Sequence, residues 1–368
     1  MKKLFLLFGL IFTLFGITTN AHAVDYHFTL TTTNQTSSSW DFQFRISAKG
    51  TFYVDCGTNG TLSRVSGGSA TVSGVTINKT GNTERTTFKC QYTSSGSKTI
   101  RFGGTATEYY SGTAGAVEFS ERAAYTTPQK VLAISGDLSK IFPFYGFQTG
   151  KHPSFNYTFS NCVNLTSIPD TLFSGYTSGG SLMFYHTFDG CTGLTSIPEN
   201  LFQNITTFSP SVGLSENMFS STFYGCTGLT SIPPRLFANV TAAGVSMFSW
   251  TFANCTNLRG YIPPTLFAGL IANGSPYCSD MMKKTFYNTG LDTSCPSGTP
   301  QFITGYEDYW NKDDGGNYAV SCASVSFTWD GVATTPTYCS VGGTFTPPTP
   351  AARPGYRFTG WKVKTINP

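Results

Sequence analysis

The chain of 368 residues has a β-type composition, with 39 Gly, abundant Thr and Ser, 15% aromatic residues and only 11% charged ones. Its formal charge of +4 falls to +2 when Lys2 and Lys3 leave with the leader, so no electrostatic footprint for nucleic acid or an anionic membrane remains. Four histidines and ten cysteines, none in a metal-ligand spacing, offer no zinc motif and imply no cofactor and no metal site.

Residues 1–23 read as a secretory signal peptide. Met1-Lys2-Lys3 precedes an apolar run from Leu4 to Ile17, and Ala21-His22-Ala23 supplies an Ala-x-Ala site with cleavage after Ala23. The apolar run is shorter than the roughly 20 residues a membrane span needs, and no later stretch reaches that length. A secreted or cell-surface protein without an integral membrane segment is expected.

From 24 to 125, short alternating runs are divided by Gly, Ser, Asn and Thr, the pattern of a β-sandwich-like domain. Trp40, Phe42, Phe44 and Ile46 fall on one face by period two, which predicts a core strand. Gly50-Thr51-Phe52-Tyr53-Val54-Asp55-Cys56-Gly57, followed by Gly96-Ser97-Lys98-Thr99-Ile100, resembles polycystic-kidney-disease-type immunoglobulin-like modules, with their usual Trp-Gly-Asp turn replaced.

A solenoid is expected over 126–299. Between Phe155 and Thr289 one phrase recurs: Met-Phe, two residues, Thr-Phe, two residues, Cys, two residues, Leu-Thr-Ser-Ile-Pro, two residues, Leu-Phe. Its Thr-Phe phenylalanines are Phe159, Phe188, Phe223, Phe252 and Phe286, at steps of 29, 35, 29 and 34 residues. Such steps mark stacked supersecondary units, none of which can enclose a core alone. The last copy has Thr289 in place of the cysteine and suits a cap, while Val131 to Pro143 echoes the repeat and reads as a unit covering the other end.

This phrase resembles the BspA-type leucine-rich repeat family of bacterial surface proteins, whose units read Ala-Phe, two residues, Cys, two residues, Leu, then a short strand and Ile-Pro. Leu194 to Pro198 is shorter than the usual strand of that family, and the step is longer than its commonest unit. The resemblance implies an extracellular adhesion or recognition scaffold.

Cys162, Cys191, Cys226 and Cys255 hold one repeat position and are expected as a ladder of buried free thiols, because equivalent side chains point the same way and a disulfide needs crossed ones. The other six fall in sequence pairs within one module each, Cys56 with Cys90, Cys278 with Cys295, and Cys322 with Cys339. Disulfides are expected there.

Residues 300–318 read as a polar, glycine-rich linker, and 319–368 as a small β module. Val325 to Trp329, Gly342-Gly343-Thr344-Phe345, and Arg353-Pro354-Gly355-Tyr356-Arg357-Phe358-Thr359-Gly360-Trp361 resemble the Listeria–Bacteroides repeat, also called the internalin B-repeat. That resemblance implies secretion or surface display.

Catalytic chemistry finds little footing. His186 precedes Thr187-Phe188 at a variable position, and the ladder cysteines lack a paired histidine. Glu307, Asp308, Asp313 and Asp314 lie near Tyr306, Tyr309 and Trp310 as the one acidic-aromatic patch, which reads as solvated linker. The Thr166-Ser167, Thr195-Ser196 and Thr230-Ser231 hydroxyls read as a structural face. Recognition is therefore assigned to the variable segments Gly175–Leu182, Gln203–Asn217, Asn239–Ser246 and Gly269–Asp280, with Tyr176, Phe208, Leu214, Ile271 and Tyr277 as exposed apolar contacts. The expected partner is a protein or glycan on a host, matrix or microbial surface; a polysaccharide-acting enzyme and a structural surface-layer component are the alternatives.

Overall fold

The computed structural model describes residues 24–36, 40–82, 85–120, 130–208, 216–242, 244–263, 265–272 and 281–292, together with 324–325, 328–329, 332–333 and 337–338. Among these the chain is mainly β, with antiparallel sheets and one α-helix of five residues.

The N-terminal unit contains β1 (Tyr26–Thr32), β2 (Trp40–Ile46), β3 (Lys49–Asp55), β4 (Gly60–Ser66), β5 (Ala70–Ser73), β6 (Thr76–Lys79), β7 (Thr86–Tyr92), β8 (Thr99–Glu108), β9 (Val117–Glu118) and β10 (Val131–Gly136). Strands β10-β1-β8-β3-β6-β5 make a six-stranded sheet and β4-β7-β2-β9 a four-stranded one. β2 alternates as its sequence predicts, with Trp40, Phe42, Phe44 and Ile46 all buried. Phe44 meets Phe102 of the other sheet edge-on, with ring centroids 5.3 Å apart. Cys56 and Cys90 form a disulfide between the segment after β3 and β7, and the Tyr92 hydroxyl donates to the Cys56 carbonyl at 2.8 Å.

β10 departs from the sequence reading. Instead of standing only as an opening repeat unit, Val131–Gly136 pairs with β1 as an edge strand of the six-stranded sheet. The partner strand lies about a hundred residues earlier, so no local pattern announces the pairing. The chain then turns back to meet the first repeat, where the Leu138 N–H donates to the Leu172 carbonyl at 2.9 Å.

A second contact surface is built around β9. Ala116 N–H donates to Ser154 O at 2.7 Å and Phe119 N–H to Thr158 O at 2.8 Å. Beside them the Glu118 carboxylate is 1% exposed and is held by Arg85 Nε at 2.7 Å and the Gly115 N–H at 3.2 Å, which satisfies a buried charge at the joint.

The repeats dock onto this joint one after another. In the second copy Phe184, His186, Phe188 and Gly190 donate their N–H groups to Met218, Ser220, Thr222 and Tyr224 of the next copy at 2.7–3.1 Å. The intervening N–H groups of Tyr185, Thr187, Asp189 and Cys191 close four-residue turns within their own copy. Half of the backbone donors thus bind the neighbouring copy and half bind locally. The result is a rung made of consecutive turns, in which burial follows a period of four: Met183 and Phe184 buried, Tyr185 and His186 half-exposed, Thr187 and Phe188 buried, Asp189 and Gly190 half-exposed, Cys191 buried.

Every fourth residue is left-handed. The position before the cysteine is held by Asn161, Gly190, Gly225, Asn254 and Asn288, all with φ between 52° and 70°. Asn and Gly are the residues that accept that conformation at least cost.

Inside, Phe119, Phe159, Phe188, Phe223, Phe252 and Phe286 stack face to face with centroids 5.4–5.8 Å apart, and Phe28 of β1 caps the column at 5.3 Å from Phe119. The buried threonines stitch successive copies: Thr187 Oγ1 donates to Phe155 O, Thr222 to Phe184 O, Thr251 to Phe219 O and Thr285 to Phe248 O, at 2.9–3.0 Å.

The Leu-Thr-Ser-Ile-Pro segments, expected as strands, have no ladder. Their inter-copy backbone bonds are sparse, such as Thr195 N–H to Thr166 O at 3.3 Å, because the prolines remove donors and the paired backbone lies in the Met-Phe to Cys segment instead. Two of the variable segments do pair: β11 (Ser178–Gly179) runs parallel to β12 (Thr207–Phe208). Helix α1 (Ala268–Ala272) follows Leu266-Phe267. Further on, β13 (Ser324–Val325) pairs with β16 (Thr337–Tyr338), and β14 (Thr328–Trp329) with β15 (Val332–Ala333).

Candidate functional site

Because Phe, Met, Thr and Cys point inward at every rung, chemical variety is confined to the third and fourth residues of each four-residue step. One column contains the left-handed residues Tyr157, His186, Ser221, Trp250 and Lys284, all half-exposed except Ser221, which is buried. A second contains Asp189, Tyr224 and Tyr287, all half-exposed, with Ala253 at the corresponding position buried. Neighbours in a column belong to successive copies, so residues about 30 apart in sequence become adjacent.

Two aromatic clusters result. In the first, the His186 ring stacks on Tyr157 with centroids 4.8 Å apart and lies edge-on to Tyr185 at 4.2 Å, and its Nδ1 lies 2.8 Å from Asp189 Oδ2. That contact orients the imidazole.

In the second, Trp250 sits between Tyr224 and Tyr287 at centroid distances of 6.1 and 5.8 Å. The Lys284 ammonium lies over both Trp250, at 4.7 Å, and Tyr287, at 5.1 Å. An amide relay runs beside the rings: Asn288 Nδ2 donates to Asn254 Oδ1 at 2.7 Å, and Asn254 Nδ2 donates to the Tyr224 hydroxyl at 2.6 Å. All of these side chains are half-exposed except Asn288, which is exposed.

Charge is divided along the stack. Residues 151–217 contain Asp170, Asp189, Glu199 and Glu216 against one base, Lys151, whereas 218–292 contain Arg235, Arg259, Lys283 and Lys284 against two acids, Asp280 and Asp292. The first aromatic cluster therefore lies in the acidic part and the second in the basic part.

Of the residues assigned to recognition from sequence, two have described side chains, and both are buried. Tyr176 is buried and donates its hydroxyl to Phe142 O at 2.6 Å, tying the first copy to the N-terminal unit. Phe208 is buried in β12. Neither offers an exposed ring. Leu214 and Tyr277 lie outside the described residues, and Ile271 is placed only by its backbone in α1. Ala23, Cys278, Cys295, Cys322, Cys339, the Glu307–Asp314 patch and Arg353 to Trp361 also lie outside them.

Cys162, Cys191, Cys226 and Cys255 are free and buried. Three of them do more than fill space: the thiols of Cys191, Cys226 and Cys255 donate to the carbonyls of Phe159, Phe188 and Phe223 at 3.0–3.1 Å. Burial pushes all four thiols up, that of Cys255 to about 12, so they are poor nucleophiles. Among the described residues no group of three or more His, Cys, Asp or Glu side chains is placed to hold a metal ion. The hydroxyl pairs Thr166-Ser167, Thr195-Ser196 and Thr230-Ser231 are exposed on another side of the stack.

The second aromatic cluster had a readable sequence signal. Once the four-residue beat is set, Tyr224, Trp250, Lys284 and Tyr287 all fall on outward positions of consecutive copies. Comparison with protein-family models, with curated proteins and with solved structures finds no match to this chain.

Proposed function

We propose that this chain is an exported bacterial surface or secreted protein that binds a macromolecular partner through a leucine-rich-repeat solenoid of the BspA type. The N-terminal β unit serves as its base and the C-terminal module as a spacer of the Listeria–Bacteroides kind. The observation that carries the reading is the split within each rung: inward Phe, Thr and Cys repeat almost unchanged, while outward positions change from copy to copy and gather Tyr, Trp, His and Lys into two clusters. A purely structural stack has no use for rings at variable outward positions, where water is the alternative neighbour. Aromatic side chains in such places are the residues that dominate binding energy at interfaces.

The test is retention. The mature chain, immobilised and exposed to mucus, extracellular matrix and bacterial envelope fractions, is expected to retain a protein or glycan. A variant with Tyr157, Tyr185, Tyr224, Trp250 and Tyr287 replaced by Ser or Asn is expected to lose it while melting as a folded protein. Retention of nothing by the native chain would favour a structural surface component, and turnover of a glycan would favour an enzyme.

A further inference from the structure

Resting on the binding function proposed above, we infer that the Tyr224–Trp250–Tyr287 cluster, with Lys284 and the Asn254–Asn288 relay, is a subsite for a uronate-bearing polysaccharide.

The backbone leaves only side chains to do the recognising. The Trp250 N–H is committed to Lys283 O at 2.9 Å, and the Tyr224 and Tyr287 N–H groups close local turns at 3.2 and 3.1 Å, so a peptide cannot be added as a further strand along this face. What the face presents is three aromatic rings, two of them with phenol hydroxyls, two amides and an ammonium. Rings pack against a surface of C–H bonds, and Tyr OH and Asn groups pair with hydroxyls. A pyranose has both, an apolar C–H face and a rim of hydroxyls.

Charge decides between neutral and acidic sugars. The copies around Trp250 carry Arg235, Arg259, Lys283 and Lys284 against two acids, Asp280 and Asp292, and the Lys284 ammonium is held at the rings themselves. An anion bound there meets a cation already positioned by Trp250 and Tyr287, which reduces the ordering cost of binding. The cations are also few. Arg259 spends its Nη1 on the Thr256 and Leu258 carbonyls at 2.8 Å each, and lysines act as point charges rather than as bidentate forks. One carboxylate per sugar suits this density better than a sulfated chain does. The cluster at Tyr157 and His186 sets a carboxylate, Asp189, beside its rings and serves as the internal control.

The experiment titrates the mature chain with oligogalacturonate and hyaluronate, with methyl-esterified oligogalacturonate, with heparin and with dextran, and follows binding by calorimetry. Binding to the two uronate probes is expected, weakened at least tenfold by esterification and at least tenfold by Trp250→Asn or Lys284→Gln, and unchanged by Tyr185→Ala. Asn is chosen at Trp250 because it tolerates the φ of 60° found there, and Lys284→Gln keeps the stem while removing only the charge. Melting curves establish that each variant is folded. Absence of uronate binding, equal binding of dextran, a preference for heparin, or binding untouched by both variants would each overturn the inference. So would a sedimenting dimer that Trp250→Asn dissociates, which would reassign the face to a second copy. If envelope or matrix partners are still retained when uronates are not, the binding function stands and only this subsite falls.

Discussion

The Cys226 thiol donates to the Phe188 carbonyl of the preceding copy at 3.1 Å, and the Thr222 hydroxyl in the same rung donates to Phe184 at 2.9 Å. Thr and Cys therefore share one task, satisfying carbonyl groups between copies that the backbone ladder leaves over.

Removing the thiol donor should cost more than its volume. Cys226→Ala is expected to destabilise by about 1–2 kcal/mol, combining a small cavity with the loss of one of the two donors to the Phe188 carbonyl, the other being the Cys191 N–H at 3.1 Å. Cys226→Ser, which keeps a donor, should cost less in chemical denaturation. A thiol reagent added to the native chain should leave these four cysteines unmodified until the protein is unfolded, because burial suppresses the thiolate.

Thr222→Val is close to isosteric and isolates the hydroxyl. Thr222 Oγ1 also lies 2.7 Å from Phe219 O, so its single O–H is shared between two carbonyls and its loss leaves each with its backbone donor alone or with another threonine. A loss of about 1–3 kcal/mol is expected in urea unfolding. Thr195→Val, on the exposed hydroxyl side, should change stability by less than about 0.5 kcal/mol.

Left-handed positions predict opposite signs for two substitutions. Ser246 has a φ of 52°, so Ser246→Gly should stabilise by up to about 1 kcal/mol. Asn161, at 56°, already carries a residue suited to that conformation, and Asn161→Val should destabilise by about 1–2 kcal/mol. Melting temperatures of the two variants, measured side by side, check the pair.

His152 gives the fold an acid-sensitive joint. Its Nδ1 faces Gly146 O at 3.3 Å and its Nε2 faces Ser181 O at 3.2 Å, and burial holds its pKa below the usual histidine value despite those carbonyls. A depressed folded-state pKa means that the folded form resists the proton. Stability from this residue is present above the unfolded value of about 6.5 and is lost as pH falls below it. Melting temperature should therefore drop between pH 7.5 and 5, and His152→Gln should reduce that drop; an equal drop in both proteins would remove His152 as its cause.

Legibility in the sequence followed the spacing of the partners. β2 was readable from Trp40, Phe42, Phe44 and Ile46 because alternation is a local signal of one buried face. The rungs were readable as repeats but not as structure, since two-in, two-out burial matches neither the 3.6-residue helix nor the two-residue strand. Strand character was accordingly assigned to Leu194–Pro198, where hydroxyls alternate with apolar residues, rather than to the ladder from Phe184 to Gly190. The Asn or Gly that precedes each cysteine marked the left-handed slot and could have revealed the turn. Tyr176 looked exposed because it lies in a variable segment; its acceptor, Phe142 O, belongs to a stretch whose pairing with β1 is invisible locally.

The phenylalanine column has a consequence for how such chains change length. Each ring from Phe159 to Phe252 meets the same ring above and below at nearly the same distance, and each rung offers its neighbours the same hydrogen-bonding groups. Excising one whole copy, so that Phe188 would rest on Phe252, leaves no unmatched surface; an excision of half a copy leaves two. Duplication and loss of complete copies by recombination therefore pass through folded proteins, and the outward residues travel with their copies. A lineage can in this way rearrange, multiply or discard aromatic clusters without redesigning the core beneath them.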